Sequence, residues 1–462
     1  MTVGLFAMAV AAGLALAAPG LALLISAGTV GAVGAAALGL AIYRRPWLIP
    51  WGALAIFCTS AELRLRLSPD LGAVKDVFIA VLVVVLAFQV FGHRPVLGRM
   101  RPFAGPLLCL AVLTGMYLLD PAGGHGAPWL FGTRLLLEVL VLLVLGLLSA
   151  QPDKTMTHLL RAFTVILPLE AVFAWIQQVA GPTALVFQWG YRYGAQVRVT
   201  SGGGLRTSGT FEDPFQLVAL AVLGLALALF LAPRRQAVIL TVAAIAVLGA
   251  TSVRTAMLQA GLLLIILLIR NGWWRQTVAL AGVTAIAALY VLATTTTAVQ
   301  PGAPQESLLL NLNGRSTAWA QAVDSWDSLV VGHGVGDRGI GSTREATAVS
   351  APPAYDPESA PPAEFAGSSA FLDSSYAQVQ SDVGIVGTVA LVGSLAGLIV
   401  VLVKRCRKRV DDSPAWAALA VLAVSAIDWI GRSSLASYTT GFLTLYVLGV
   451  LLAATQIPER ST

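Results

Sequence analysis

Charged side chains are scarce in this sequence. Only 11% of its 462 residues are charged, 57% are hydrophobic, and the mean hydropathy is +0.80. No charged residue occurs before Arg44. A soluble globular domain has about 25% charged residues, so the composition excludes that class. Because a membrane-spanning helix needs about 20 mostly apolar residues, the sequence predicts an all-α polytopic membrane protein.

Cysteine, histidine and the common catalytic motifs are also scarce. The three cysteines lie in or beside apolar runs or in a basic loop, which indicates neither a disulfide framework nor a metal site. The four histidines show no metal-ligand spacing. DxD, Walker A, HExxH and GxSxG motifs are absent from the sequence. We therefore expect neither a metal nor a cofactor, and any chemistry must depend on charge and positioning.

Apolar runs bounded by charged residues predict between twelve and fourteen membrane helices. The first run resembles a signal peptide, but it lacks a positively charged start, so we interpret it as the first helix. The predicted spans lie at about 3–18, 22–43, 47–60, 71–91, 103–119, 131–149, 158–180, 214–232, 236–250, 255–270, 276–295, 383–403, 415–431 and 437–455.

Basic residues are concentrated in the loops on one side of these spans. They include Arg44 and Arg45, Arg94, Arg99 and Arg101, Arg234 and Arg235, Arg270 and Arg275, and the run 404–409. Basic loops stay on the cytoplasmic side of a membrane. The pattern therefore predicts that both termini are cytoplasmic and that the remaining loops are extracytoplasmic.

The longest extracytoplasmic loop covers 296–382 and separates a transmembrane bundle (1–295) from C-terminal transmembrane helices (383–462). It contains ten acidic residues and three arginines. Its segment 343–370 is rich in proline, alanine and serine, which is typical of a flexible segment. That segment is either a lid over an active site or a tolerated surface insertion.

The first part of the loop has a different pattern. Trp319, Val323, Trp326 and Val330 recur at helical spacing. This predicts an amphipathic helix near 314–330 that lies on the outer membrane surface. The helix either contributes to a site or only packs on the bundle.

Three arginines occur at extracytoplasmic positions next to helix starts. Arg206 precedes Asp213-Pro214, an N-cap followed by the proline favoured at the first helical position. Arg254 lies in a tight turn between two short spans, and Arg315 starts the predicted amphipathic helix. Guanidinium groups suit phosphate, and helix N-termini add donors and a favourable dipole. The three together predict an anion site, although a single arginine can also snorkel or pair with a neighbour such as Glu212.

Four segments occur in order between about 195 and 400: "RTSGTFEDPFQLVAL", "TSVRTAML", "NGRSTAWAQAVDSWDSLVVGHGVG" and "LDSSYAQVQSDVGIVGTVAL". Together they resemble the O-antigen ligase and O-antigen polymerase family of bacterial membrane glycosyltransferases. The resemblance implies a GT-C-like fold in the bacterial plasma (inner) membrane. It also implies metal-independent transfer of a glycan from a polyprenyl-pyrophosphate carrier to an acceptor hydroxyl, with inversion, on the extracytoplasmic side. The acceptor is a glycolipid in ligases and another lipid-linked glycan in polymerases.

The resemblance also implies residue roles. Arg206, Arg254 and Arg315 would bind the pyrophosphate. Ligases often carry a histidine where this chain has Asp373, so ligase and polymerase both stay open. The general base would be Asp373 or His333, and we expect Trp319 and Tyr376 to contact the substrate.

Three other functions compete with this one. A transporter or flippase of lipid-linked oligosaccharide would need ionisable residues inside the spans, such as Glu138, Glu170 and Asp428. A glycosyltransferase that uses a polyprenyl-monophosphate sugar would need an acid in the first extracytoplasmic loop, where Glu62 and Asp70 lie. A non-catalytic scaffold would leave the arginines dispensable.

Overall fold

The structure is a computed structural model that describes residues 36–66, 73–92, 94–149, 151–191, 196–199, 204–273, 322–340, 374–436 and 439–456. The predicted spans 3–18 and 276–295, the segment 343–370 and the residues Arg315, Trp319 and Asp373 lie outside these ranges. The side chain of Arg254 is outside the described part as well.

The described chain is mostly helical. Its α-helices are α1 (Ile49–Arg66), α2 (Ala73–Gly92), α3 (Ala104–Leu119), α4 (Ala127–Leu147), α5 (Pro152–Phe187), α6 (Pro214–Phe230), α7 (Arg234–Thr251), α8 (Arg254–Arg270), α9 (Trp326–Val330), α10 (Ser375–Lys408), α11 (Ser413–Asp428) and α12 (Thr439–Ala454). Residues 36–44 are also helical, and 3-10 helices occur at Pro46–Leu48 and Arg94–Phe103. Two short strands, β1 (Arg198–Val199) and β2 (Leu205–Arg206), pair antiparallel between α5 and α6.

Five helices in the described part are long and apolar enough to cross a membrane. They are Met100–Leu119, Ala127–Leu147, Pro152–Phe187, Arg234–Thr251 and Ser375–Lys408. Four shorter apolar helices accompany them, at Pro214–Phe230, Thr255–Arg270, Ser413–Asp428 and Thr439–Ala454. The predicted all-helical membrane architecture is confirmed at this level, and the predicted spans coincide with these helices to within a few residues at most ends.

Two helices are longer than predicted because each continues past a local break. In α5 the backbone leaves the helical region at Gly181 (φ 77°). In α10 it does so at Val383 and Gly384, which is where the sequence predicted a span to begin. The preceding segment 375–382, predicted as loop, is helical, and most of its residues are buried.

Helices α4 and α12 cross at very short range. A Cβ atom added to Gly146 would lie 2.4 Å from the carbonyl oxygen of Tyr446, and one added to Gly449 would lie 2.2 Å from that of Leu143. Small residues at such crossings let helix backbones approach closely, which is the usual way that membrane helices gain packing energy. This contact forms part of one large hydrophobic core that most of the helices share.

A network of four charges joins α2 to α4. Lys75 Nζ contacts Glu138 Oε2 at 2.8 Å and Asp76 Oδ1 at 2.9 Å. Arg134 Nε contacts Glu138 Oε1 at 2.7 Å, and Arg134 also pairs with Asp76. Lys75, only 4% exposed, lies 4.5 Å from the centre of the Phe442 ring. Two cations and two anions therefore neutralise one another within the bundle.

The predicted amphipathic helix near 314–330 is wrong in one respect, because it is not continuous up to residue 330. Ser325 caps a separate helix, α9, and exchanges hydrogen bonds with Ser328 in a capping box. This cap competes with helix continuation because the serine hydroxyl satisfies the backbone N–H of Ser328. Trp326 is 77% exposed at the start of α9, as a surface position requires.

Candidate functional site

The loop 204–213, which precedes α6, enters the bundle. Thr207, Ser208 and Phe211 are buried in it. Gly209 has φ 60°, and an added Cβ atom there would lie 2.5 Å from Glu170 Oε2. Only glycine fits this close approach at a positive φ. Glycine at position 209 is therefore explained by a backbone that packs directly against α5.

Polar side chains of α5 hold the inserted loop. Gln177 accepts from Gly209 N at 2.9 Å and donates to Gly209 O at 2.8 Å. Glu170 accepts from Thr210 N at 3.1 Å and from Thr210 Oγ1 at 2.5 Å. Buried backbone groups need such partners, because an unmade hydrogen bond costs about 1–3 kcal/mol. Glu170 and Gln177 thus fix the position of the loop.

The same loop is tied to the end of α7. Gln178 Nε2 donates to the carbonyls of Leu205 (2.7 Å) and Ala250 (2.6 Å). Thr207 Oγ1 donates to the Ala250 carbonyl at 3.2 Å. Arg206 follows Leu205, and α8 begins at Arg254, four residues after Ala250. The structure therefore brings together the two segments that carry the predicted arginines.

A second arginine faces Arg206 across the strand pair. Arg198 is its register partner, and directly opposed residues place their side chains on the same face, about 5 Å apart at Cβ. Like charges in this arrangement destabilise a strand pair. Arg198 also contacts Asp213 (2.7 Å) and lies 5.4 Å from the centre of the Phe215 ring. Two guanidinium groups are thus presented at the entrance to α6.

A third arginine, Arg432, contacts the same ring. Its guanidinium lies 4.4 Å from the centre of the Phe215 ring, and Nη1 pairs with Asp428 Oδ1 at 3.1 Å. Nη2 donates to Thr255 in the first turn of α8. The Arg432 carbonyl accepts from Ser375 N (2.9 Å) and Ser375 Oγ (2.8 Å). Arg432 is only 3% exposed, so it acts as a fixed link between the starts of α6, α8 and α10.

We call Arg198, Arg206, Arg432 and Phe215 the arginine cluster. Three helix N-termini surround it. The α6 and α10 starts are capped by Asp213 and Ser374, whereas Val253 gives the α8 start no side-chain cap. Helix starts offer backbone N–H donors and the positive end of the helix dipole. Arginines and helix starts in one place make a site suited to an anion with several oxygens.

Tyr376 lies near the cluster, at the start of α10. Its hydroxyl donates to the Ala426 carbonyl of α11 at 3.1 Å, and the side chain is partly buried. This bond fixes α10 to α11. The predicted substrate contact of Tyr376 stays a prediction.

His333 lies in the loop 332–340, which packs beside Ser381 of α10. Its Nδ1 is 3.3 Å from Ser381 Oγ, and its Nε2 is 3.1 Å from Asp324 Oδ1 and 3.3 Å from Arg338 Nη1. Hydrogen bonds from His333, Ser328 and Arg338 lower the pKa of Asp324 to about 2. Ser381 is six positions after Ser375, or about 9 Å along a helix. Both ring nitrogens are engaged, and this geometry favours a loop-shaping role over that of a general base.

Two buried aspartates hold this loop. Asp382 accepts from Tyr117 Oη (2.7 Å), Ile340 N (2.9 Å) and Gly336 N (3.1 Å). Asp120 accepts from Val335 N at 2.8 Å. We call residues 332–340 the aspartate-held loop. Three of its backbone N–H groups, those of Val335, Gly336 and Ile340, donate to these carboxylates, so the loop is a structural anchor.

The ionisable residues that a transporter would need inside its spans have protein partners. Glu138 pairs with Lys75 and Arg134, and Glu170 accepts from Thr210. Asp428 accepts from Gln259 (3.0 Å), pairs with Arg432 and also bonds to Ser434. Within the described residues, no group of three His, Cys, Asp or Glu side chains could hold a metal ion.

Sequence reasoning missed Arg198 and Arg432. Arg198 occurs in the same predicted loop as Arg206, and Arg432 directly follows the predicted span 415–431. Both positions are extracytoplasmic under the positive-inside assignment, so the signal used for Arg254 could have found them. Phe215 carries no such signal, because a phenylalanine in an apolar span does not indicate a cation contact.

These features define the class of protein: a helical membrane protein whose bundle presents arginines where three helices begin. No model of a known protein family matches the chain, and none of the curated proteins is significantly similar to it.

Proposed function

We propose that the protein is an extracytoplasmic glycosyltransferase that moves a glycan from a polyprenyl-pyrophosphate carrier to an acceptor hydroxyl. The observation that carries the proposal is the arginine cluster, in which Arg198 and Arg206 oppose each other across a strand pair and Arg432 shares an aromatic ring with Arg198. Arg198 and Arg432 also pair with Asp213 and Asp428, and an anion with several oxygens is able to accept from more than one guanidinium group at once.

The chemistry of the transfer fits a site of this kind. The acceptor oxygen forms a bond to the anomeric carbon while the bond from that carbon to the pyrophosphate oxygen breaks, which inverts the centre. The proton of the acceptor hydroxyl passes to a base, for which Asp373 stays the prediction. Negative charge grows on the departing lipid pyrophosphate. Fixed donors stabilise such charge by about 3–4 kcal/mol each.

A transporter of the same lipid-linked glycan is the alternative. It would require charged groups in the spans that change partners during transport. Glu138, Glu170 and Asp428 are each enclosed by protein donors, and this favours the transferase.

The test uses purified protein in vesicles with a polyprenyl-pyrophosphate-linked glycan and a glycan acceptor. Arg206→Ala should reduce transfer by about 10²–10³ with little change in unfolding temperature. Lysine at this position should restore little activity, because it lacks the planar fork. Arg338→Ala, which removes an arginine of the aspartate-held loop, is the matched control and should retain transfer.

The products decide between the remaining functions. A ladder of lengthened glycans indicates a polymerase, and a single transfer to a second acceptor indicates a ligase. Unchanged glycan that has crossed the vesicle membrane would show a transporter. Full transfer by Arg206→Ala would remove the basis of the proposed site.

A further inference from the structure

A long apolar groove runs between α5 and α7. Its volume is about 930 Å³. Pro168, Trp175 and Val179 of α5 and Val238, Val242 and Ala246 of α7 are among the residues that line it. From residue 168 to residue 180 an α-helix extends about 18 Å. The groove therefore covers much of the apolar thickness of a bilayer, which is about 30 Å.

A hydrogen bond holds Trp175 of α5 in the wall of the groove. The indole Nε1 of Trp175 donates to the Ala246 carbonyl of α7 at 3.1 Å. This bond satisfies the only polar atom of the indole and fixes the ring between the two helices. All the lining residues are apolar, so the groove offers no partner for a polar headgroup along its length.

One end of the groove reaches the loop that carries Arg206. Gln178, one residue before the groove-lining Val179, donates to both Leu205 O and Ala250 O. Arg206 follows Leu205 directly. An elongated apolar ligand in the groove would thus have its polar end beside the arginine cluster and its hydrocarbon between α5 and α7.

We propose that this groove binds the polyisoprenyl chain of the carrier lipid while the arginine cluster binds its pyrophosphate. The inference rests on the proposed function and names the place of the lipid tail. The continuity between groove and cations favours this occupant over a bilayer phospholipid, since a pyrophosphate brings more negative charge to the guanidinium groups than a single phosphodiester does.

The test compares two variants of α7. Val242 lines the groove and is 62% exposed, whereas Ile245, which is 61% exposed, does not line it. Val242→Trp fills the groove, and Ile245→Trp adds a similar side chain to the neighbouring lipid-facing surface. Each variant and the wild type are placed in phosphatidylethanolamine–phosphatidylglycerol vesicles with a polyprenyl pyrophosphate that carries a photoreactive group on its tail and no glycan.

We expect the probe to label peptides from 168–180 and 238–246. Labelling in Val242→Trp should fall by about tenfold, because the groove cannot expand to hold both the new indole and the polyprenyl chain. Labelling in Ile245→Trp should resemble that of the wild type. Unlabelled polyprenyl pyrophosphate should compete, and added phosphatidylglycerol should not.

Labelling spread over the lipid-facing surface, or equal competition by phosphatidylglycerol, would overturn the assignment. Because the probe carries no glycan, its labelling measures lipid binding independently of glycan transfer. Groove labelling without glycan transfer would contradict the proposed function alone, and transfer without groove labelling would contradict the groove alone.

Discussion

The arginine cluster and the aspartate-held loop lie at opposite ends of the first segment of α10, and they use charge in opposite ways. Ser375 contacts the Arg432 carbonyl at one end of this segment. Asp382 accepts two backbone N–H groups and the Tyr117 hydroxyl at the other. In the aspartate-held loop, the backbone N–H groups of Val335, Gly336 and Ile340 donate to acids of the protein itself. In the arginine cluster, guanidinium groups and helix starts converge from separate elements.

Under the proposed function, the aspartate-held loop uses charge to hold the fold and the arginine cluster uses charge to bind a ligand. A buried carboxylate enclosed by backbone donors has little remaining capacity for a ligand, and its loss leaves several donors unsatisfied. Guanidinium groups opposed across two strands repel each other, and an anion with several oxygens is able to accept from more than one of them at once. We therefore expect changes in the aspartate-held loop to alter folding and changes in the arginine cluster to alter transfer.

The largest effect should follow from Asp382→Ala. Three buried donors would lose their acceptor, which should lower the free energy of unfolding by on the order of 5 kcal/mol. Thermal unfolding in detergent measures the change, and Asp382→Asn should be milder because one acceptor oxygen remains. Transfer per folded molecule should stay close to that of the wild type. A specific loss of transfer in a stable variant would place Asp382 in the site. The aspartate-held loop and the arginine cluster would then no longer differ in role.

The next largest effect should follow from Arg432→Ala. It leaves Asp428 buried without its cation, a loss of about 3–5 kcal/mol in stability, and it should also abolish transfer. The double variant Asp428→Asn/Arg432→Gln removes both charges and should recover most of the unfolding temperature. Transfer should remain lost in the double variant. Recovery of both properties would mean that Arg432 is only structural.

A smaller effect should follow from Gln178→Leu. The change removes two hydrogen bonds that join the Arg206 segment to the end of α7. Stability should fall by about 1–2 kcal/mol, and transfer by about tenfold, since the arginines would be less well positioned. Gln188→Leu, at the exposed end of the same helix, is the control for an added apolar side chain. Equal transfer by the two variants would show that Gln178 does not position the site.

The smallest effect should follow from His333→Asn. The His333 ring contacts Ser381 and Asp324, so the variant should unfold at a slightly lower temperature, by about 1 kcal/mol in stability. Transfer should be within about twofold of the wild type. A loss of about 10²–10⁴ would instead identify His333 as the general base, and the aspartate-held loop would then belong to the active site.

Much of the helical architecture could be predicted from the sequence. The apolar runs at 214–232, 236–250 and 255–270 correspond closely to α6, α7 and α8, because hydropathy directly reports which segments suit a bilayer. The positions at which helices break were harder to predict from the sequence. Segment 375–382 is polar in sequence, yet it is helical because Ser374 caps it and neighbouring loops bury it.

The candidate site could be predicted only in part. The link between the Arg206 and Arg254 segments depends on Gln178, whose two bonds to separate loops no local pattern reveals. Arg432 comes from a part of the chain more than 200 residues after Arg206. Such contacts depend on which helices become neighbours, and short-range periodicity does not contain that information. The sequence made His333 a candidate general base, but its contacts with Ser381 and Asp324 depend on how the loop folds back on α10.

The four-charge network between α2 and α4 also has a consequence for the way the chain enters the membrane. Lys75 pairs with Asp76 of its own helix, but its second acidic partner, Glu138, is 63 residues away, so α2 is synthesised well before Glu138 and Arg134. Lys75 and Asp76 lie in the first turn of α2, and their ion pair is joined by Arg134 and Glu138 only when α4 packs beside it. During translation α2 therefore gains its full stability in the bilayer only after α4 has emerged. Glu138→Leu leaves Lys75 and Arg134 with Asp76 as their one acid in this network, and it should therefore lower the unfolding temperature by weakening the contact between α2 and α4.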